Sequence, residues 1–218
     1  SQGTGRLAGI LGLNNLIMFY DSNDIQLSTE CKVVMQEDTE AKYKAWGWNV
    51  IKIDGNDVDQ IRQALDAANA EEHRPTLIIG KTIMGKGALK ADGSSYEHTI
   101  KTHGAPLGGE AYRNTIVHLG GNPDNPFVIF DEVKELYANR RNELKAIVAD
   151  RRKAEAEWAK ANPEKAQQMQ TWFSGNAPKV DWSTFVQKPD IATRAASAAC
   201  LGVLAEQVPN MVCSSADL

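Results

Sequence analysis

The sequence predicts an α/β fold: a parallel sheet flanked by helices, then a helical linker and the start of a second α/β domain. Three observations carry this. Leu16–Tyr20, Asn49–Ile53 and Thr76–Ile83 are short runs of strand formers. Their nearly continuous apolar character suits parallel strands buried on both faces. They alternate with stretches of helical periodicity, and the order helix, strand, helix, strand, helix, strand favours βαβ units.

The elements follow in order. In residues 6–13, Leu7, Ile10 and Leu11 fall on one helical face, and Gly12 with Asn14 and Asn15 supplies a stop. The strand 16–20 breaks into Asp21-Ser22-Asn23-Asp24 and resumes with Ile25. The carboxyl end of a strand in an open sheet is where ligands bind, although Asn and Asp are also ordinary turn residues. The acidic stretch 37–40 starts a short helix that runs to Ala45 and ends at Gly47. After strand 49–53, Asp57 is placed to cap a helix over 58–70, with Val58, Ile61, Leu65 and Ala68 at helical spacing. Residues 85–109 form a long polar, glycine-rich loop that contains His98 and His103, and loops of this length are functional or disordered.

A helical region follows. It comprises a short helix over 110–119, a long charged helix over 131–161, and a restart at Pro163 toward Trp172 and Phe173. Acidic and basic residues interleave in the long helix, which marks a solvated face. Residues 174–188 read as a linker. Asp190 or Thr193 is placed to cap a small-residue helix over 195–207, and Met211–Cys213 reads as a closing strand.

Composition narrows the function. The net charge of -4 offers no pull toward nucleic acid. No apolar run reaches the roughly 20 residues of a membrane helix. Residues 1–6 lack the features of a signal peptide. Cys31, Cys200 and Cys213 are far apart without CxxC spacing, as free thiols of a reducing cytoplasm would be. No HxxxH pair occurs, so no His-based metal site is indicated. The chain opens without Met and ends in a polar turn, and a piece of a longer protein is expected.

Four stretches, in one order, carry a more specific signal. They are Leu7-Ala8-Gly9 through Asn15–Ile25; Asp38-Thr39 with Ala45-Trp46-Gly47-Trp48-Asn49-Val50; Lys81–Gly87 followed by His103-Gly104-Ala105-Pro106-Leu107-Gly108; and Ala192–Ser197 with Ser215-Ala216-Asp217-Leu218. With these the chain resembles the transketolase family of thiamine diphosphate enzymes, in a central fragment lacking both ends. The match is weakest over 120–188.

The resemblance implies a thiamine diphosphate-binding fold. Residues 1–122 become the latter part of the diphosphate-binding domain, 123–188 a helical linker, and 189–218 the start of the pyrimidine-binding domain. It implies two-carbon ketol transfer from a ketose phosphate to an aldose phosphate in the pentose phosphate pathway. The cofactors implied are thiamine diphosphate and Mg²⁺ or Ca²⁺. Asn23, through its amide, and Ile25, through its backbone carbonyl, look like metal ligands, since such cations favour hard oxygen donors. The family's Gly-Asp-Gly turn would precede Ser1.

His103 corresponds to the family's His near cofactor and substrate, where imidazole donates or moves a proton. Arg194 looks like the arginine that grips a sugar phosphate. An anion would also offset its unfavourable place near a helix N-terminus. Asp217 lies beside the cofactor in the resemblance, with Cys213 and Ser214 where the family has two glycines.

A cytoplasmic homodimer of the full-length protein is implied. The fragment alone is expected to be inactive, because the family's activating glutamate would follow Leu218. The alternatives are a dihydroxyacetone synthase-like two-carbon transferase, a non-catalytic assembly paralogue, and a nucleotide-binding domain of another kind.

Overall fold

A computed structural model describes residues 2–214. It divides into two compact units, the first ending at Val128 and the second beginning at Ile129. In the first unit, β1 (Ile17–Ser22), β2 (Asn49–Asp54) and β3 (Thr76–Lys81) form a parallel sheet in the order β1-β3-β2. Thr76 aligns with both Ile17 and Asn49, and Lys81 with both Ser22 and Asp54. The three strands therefore end together at one carboxyl edge. The central strand β3 is buried along Thr76–Gly80, as its continuous apolar run predicts.

One face of the sheet packs α1 (Gln2–Ile10) and α2 (Thr39–Ala45) around Ala8, Trp48, Leu77 and Ile79. The other packs α3 (Val58–Asn69) through Ala64 and Ala68 against Ile78. The caps follow the local sequence. Asp38 Oδ1 accepts from Ala41 N–H at 3.0 Å. Asp57 Oδ1 accepts from the N–H groups of Asp59 and Gln60 at 2.9 and 3.1 Å.

The packing of α1 reverses the expected face. Leu7, Ile10 and Leu11 are 54%, 79% and 60% exposed, whereas Ala8 is 3% exposed. Large apolar residues mark a helix's buried face only when its neighbour leaves room for them. Here the neighbour is an aromatic cluster. Tyr43 meets Trp46 at a tilt and Trp48 edge-on, with ring centroids 4.9 and 5.1 Å away, and Trp48 Nε1–H donates to the Gly5 carbonyl at 2.8 Å. Only Gly5, Ala8 and Gly9, one turn apart on one face, allow so close an approach.

After β3, α4 (Lys101–Gly104) and α5 (Gly109–His118) complete the first unit. The second unit contains α6 (Asp131–Ala161), α7 (Pro163–Phe173) and α8 (Thr193–Gln207). No residue of α6 is buried, consistent with its interleaved charges. Asn162 breaks the helix and Pro163 restarts it at the position where a missing N–H costs nothing. The Gln207 side chain accepts from Asp181 N–H at 2.7 Å and donates to Asp181 C=O at 3.0 Å, tying residues 174–188 to α8.

Two expectations are corrected here. Neither Asp190 nor Thr193 caps α8. Its cap position is Ala192 without a side-chain bond, Thr193 is already helical, and Asp190 adopts a left-handed φ of 53°. Met211–Cys213 is not a strand. Its described residues have no partner strand to supply ladder hydrogen bonds, and Met211 N–H instead closes a turn onto Val208 C=O at 2.9 Å.

A Cβ on Gly9 would lie 1.7 Å from the Trp46 carbonyl oxygen, which is backbone and cannot rotate away. Gly9→Ala in the full-length protein is expected to cost about 1–3 kcal/mol, read as a lowered denaturation midpoint. A second outcome concerns pH. The backbone N–H of Gln60, then its side chain, hold the Asp57 carboxyl below the usual carboxylate range. Its stabilisation is therefore full above the unfolded-state pKa and is lost as pH falls through the lower folded-state value. The difference in melting temperature between the parent and Asp57→Ala is expected to shrink as pH drops through the acidic range.

Candidate functional site

The carboxyl edge of the sheet gathers Asp21 and Ser22 of β1, Asp54 of β2 and Lys81 of β3. Beyond β1 the chain turns sharply. Asp24 takes a left-handed φ of 67°, a region that Asp enters more readily than most residues. Its carbonyl accepts from Cys31 N–H at 2.7 Å, and Ile25 bridges to Glu30. Ile25 is 7% exposed and anchors this loop.

The polar side chains form a connected set. Asn23 Nδ2 donates to Asp21 Oδ2 at 3.1 Å, and Asn23 Oδ1 accepts from Ile25 N–H at 3.1 Å. The Thr82 hydroxyl donates to Asp21 Oδ1. The Lys81 ammonium pairs with the Asp24 carboxylate. Asn56 Oδ1 accepts from Ile83 N–H at 3.2 Å, joining the turn after β2 to the residues after β3.

The long loop after β3 is ordered by its own bonds rather than by regular structure. His98 N–H donates to Met84 C=O at 3.0 Å, and Glu97 Oε1 accepts from Gly87 N–H at 2.7 Å. Leu89 and Ser95 bridge, and Asn114 of α5 donates to the carbonyls of Lys90 and Ala91 at 3.2 Å each. Gly85 is required at the start. Its φ is +64°, and a Cβ there would lie 2.8 Å from Thr102 Cβ.

Thr102 thus rests directly after β3, and the following residue is His103. The sequence reading treated this stretch as loop, but a single turn of helix, α4, carries it. A Cβ on Gly104 would lie 3.2 Å from Leu27, so the His103 segment meets the loop that holds Asn23 and Ile25. His103 itself is exposed, and its backbone N–H donates to Ile100 C=O at 3.1 Å.

On the α2 side of the same edge lies a cleft of about 410 Å³, lined by Tyr20, Ser22, Met35, Asp38, Lys52 and Lys81 among others. Glu40 on its rim accepts from Lys44 and Lys52, which hold its carboxyl below the ordinary range, Lys44 first.

The structure therefore brings Asn23, Ile25 and the His103 segment to one edge. Arg194 is exposed in the first turn of α8, in the second unit, and Asp217 lies outside the described residues. Among the described residues, no group of three or more His, Cys, Asp or Glu side chains is placed to hold a metal ion. Sequence reasoning gave no role to Asp21, Lys81 or Thr82. No periodic signal in the sequence marks them; it is the parallel pairing of Ser22 with Lys81 in the structure that sets Asp21 beside the chain leaving β3.

Residues 1–178 match the family model described as transketolase, thiamine diphosphate binding domain. The chain is 34% identical to a dihydroxyacetone synthase of Pichia angusta and 34% identical to a transketolase of Halalkalibacterium halodurans; each comparison covers 97% of this chain, but only 30% and 32% of the relative. The chain thus spans about a third of the length of the curated relatives it matches. Among solved structures, the transketolase of Pichia stipitis in complex with sedoheptulose-7-phosphate superposes with a TM-score of 0.84 at 30% identity, over 98% of this chain and 32% of that one. The transketolase of Leishmania mexicana gives 0.83 at 30% identity, over 95% and 31%. A family match over most of the sequence and the same fold in solved relatives agree: the chain belongs to the transketolase family, and its residues 1–178 match that family's thiamine diphosphate-binding domain.

Proposed function

We propose that the full-length protein transfers a two-carbon ketol unit from a ketose phosphate to an aldose phosphate, a step of the pentose phosphate pathway. The convergence of Asn23, Ile25 and the His103 segment on one carboxyl edge supports this reading best. In this proposal residues 1–122 complete a diphosphate-binding domain, 123–188 form a helical linker, and 189–218 open the pyrimidine-binding domain. The active protein is a cytoplasmic homodimer. Among the described residues no helix is long and apolar enough to cross a membrane.

The donors fit a hard divalent cation, Mg²⁺ or Ca²⁺. Asn23 Oδ1 spends one lone pair on Ile25 N–H and keeps the other. The Ile25 carbonyl adds a neutral oxygen two residues on, and neutral donors suit a cation that also binds an anionic diphosphate. A carboxylate ligand would come from the family's Gly-Asp-Gly turn, which these 218 residues do not contain.

Bound thiamine diphosphate supplies the carbanion chemistry of ketol transfer. The chain's own contributions are placement and proton handling. Asn23 and Ile25 would hold the cation, and through it Asn23 would help to place the diphosphate. His103 would donate a proton to, or take one from, a substrate oxygen. Arg194 grips the substrate phosphate through its guanidinium fork. Asp217, outside the described residues, is assigned to cofactor binding on the family resemblance alone.

Dihydroxyacetone synthesis is the second reading, favoured by the two dihydroxyacetone synthases among the similar proteins, at 34% and 33% identity. Making a three-carbon product by two-carbon transfer needs a one-carbon acceptor, which bears no phosphate.

Three variants test these roles in the full-length protein. Asn23→Ala is expected to raise the Mg²⁺ concentration that half-saturates thiamine diphosphate binding by about tenfold or more, a loss at least as large as that for supporting residues of metal sites. In contrast, His103→Ala should leave cofactor binding in place and lower kcat by about 100-fold. Equal cofactor affinity in Asn23→Ala and the parent would sink the ligand assignment. For the acceptor, Arg194→Ala is expected to raise KM about 10- to 100-fold for an aldose phosphate, the loss of charge-assisted hydrogen bonds. KM for a one-carbon aldehyde should not change. Turnover with only the one-carbon acceptor would establish the second reading.

A further inference from the structure

The carboxyl-edge network contains a residue for which the proposed reaction has no direct use. Asp21 sits two residues before Asn23, and its two carboxylate oxygens have different partners. Oδ2 accepts from Asn23 Nδ2 at 3.1 Å, and Oδ1 accepts from the Thr82 hydroxyl.

An asparagine amide is nearly symmetric in shape but opposite in polarity at its two ends. Left alone in a loop, it can present either nitrogen or oxygen to a ligand. A carboxylate accepts only, so the end of Asn23 that faces Asp21 must be the NH₂. Ile25 N–H donates only, so the end that faces it must be the oxygen. These two partners together fix the rotamer and the polarity of Asn23. Asp21 is in turn fixed by Thr82, the first residue after β3, which reaches it from the end of the neighbouring parallel strand.

We infer that Asp21 and Thr82 are positioning residues that hold the Asn23 amide with its oxygen turned toward the divalent cation. This inference rests on the proposed ligand role of Asn23 and extends it to the residues that orient it. Groups that orient a metal ligand commonly contribute 10- to 100-fold in affinity, roughly.

The chemistry of the two contacts distinguishes orientation from charge. In Asp21→Asn, the new amide still accepts from Asn23 Nδ2 through its own oxygen, and its NH₂ donates to Thr82 Oγ1, because a hydroxyl accepts as well as donates. In Asp21→Ala both contacts vanish. Thr82→Ser keeps the hydroxyl and Thr82→Val removes it in nearly the same volume.

The test titrates the full-length dimer with Mg²⁺ at fixed thiamine diphosphate and reads cofactor binding by calorimetry, with Asn23→Ala alongside. Asp21→Ala is expected to raise the half-saturating Mg²⁺ concentration about tenfold. Asp21→Asn and Thr82→Ser should stay within about threefold of the parent, and Thr82→Val should fall between. Far-UV circular dichroism confirms folding of each variant, and Asp21→Asn serves as the folded reference should Asp21→Ala not fold. An unchanged Mg²⁺ requirement in folded Asp21→Ala, with a raised one in Asn23→Ala, overturns the inference and leaves the ligand reading intact. An equal loss in Asp21→Asn and Asp21→Ala also overturns it, because charge and not orientation would then be the cause. No effect in Asn23→Ala overturns the ligand reading and this inference with it.

Discussion

The burial of β3 between two parallel partners is the constraint on which the first unit depends. Its residues from Thr76 to Gly80 are buried, so their side chains pack against the helices on both faces. Leu77 and Ile79 meet the aromatic layer beneath α1 and α2, and Ile78 meets the alanines of α3. The strand's backbone is satisfied on both sides by β1 and β2 in one register. That shared register makes all three strands end at one level, and the level is where the polar chemistry collects.

The two faces are packed by different means. On the α3 side, small alanines let a helix settle onto branched side chains, an ordinary helix-on-sheet contact. On the α1 side, Trp46, Trp48 and Tyr43 fill the layer and the helix offers glycine and alanine to them. Large residues from α2 and the turn after it, set against small ones on α1, together fill the layer. The apolar residues freed from that layer, Leu7, Ile10 and Leu11, point away from it.

Most of the fold was legible in the sequence because hydrophobic period and capping residues speak for themselves over a dozen residues. Asp38 and Asp57 cap where the sequence places them, and Pro163 restarts a helix where its missing donor is harmless. What escaped were features set by a partner rather than by a pattern. The buried face of α1 was misread because its contact is chosen by tryptophans some 40 residues away, as in the Gly5–Trp48 hydrogen bond. Met211–Cys213 has strand composition, but among the described residues no strand pairs with it. At the site, the motif residues Asn23, Ile25 and His103 were visible as a resemblance. Asp21, Lys81 and Thr82 were not given roles, since hydrogen bonds across 57 and 61 residues leave no periodic trace.

The cross-strand bond from Thr82 to Asp21 bears on how this region can vary. Side chains along a strand alternate between faces, so inserting or deleting one residue within 17–21 would turn Asp21 away from Thr82 and shift the position before Asn23. The loop after β3, held by bonds such as that from Gly87 N–H to the Glu97 carboxylate, is free of that parity. Differences in length between natural versions of this domain should therefore accumulate between Gly87 and Glu97, and the interval from Ile17 to Asn23 should keep a constant length even where its residues change.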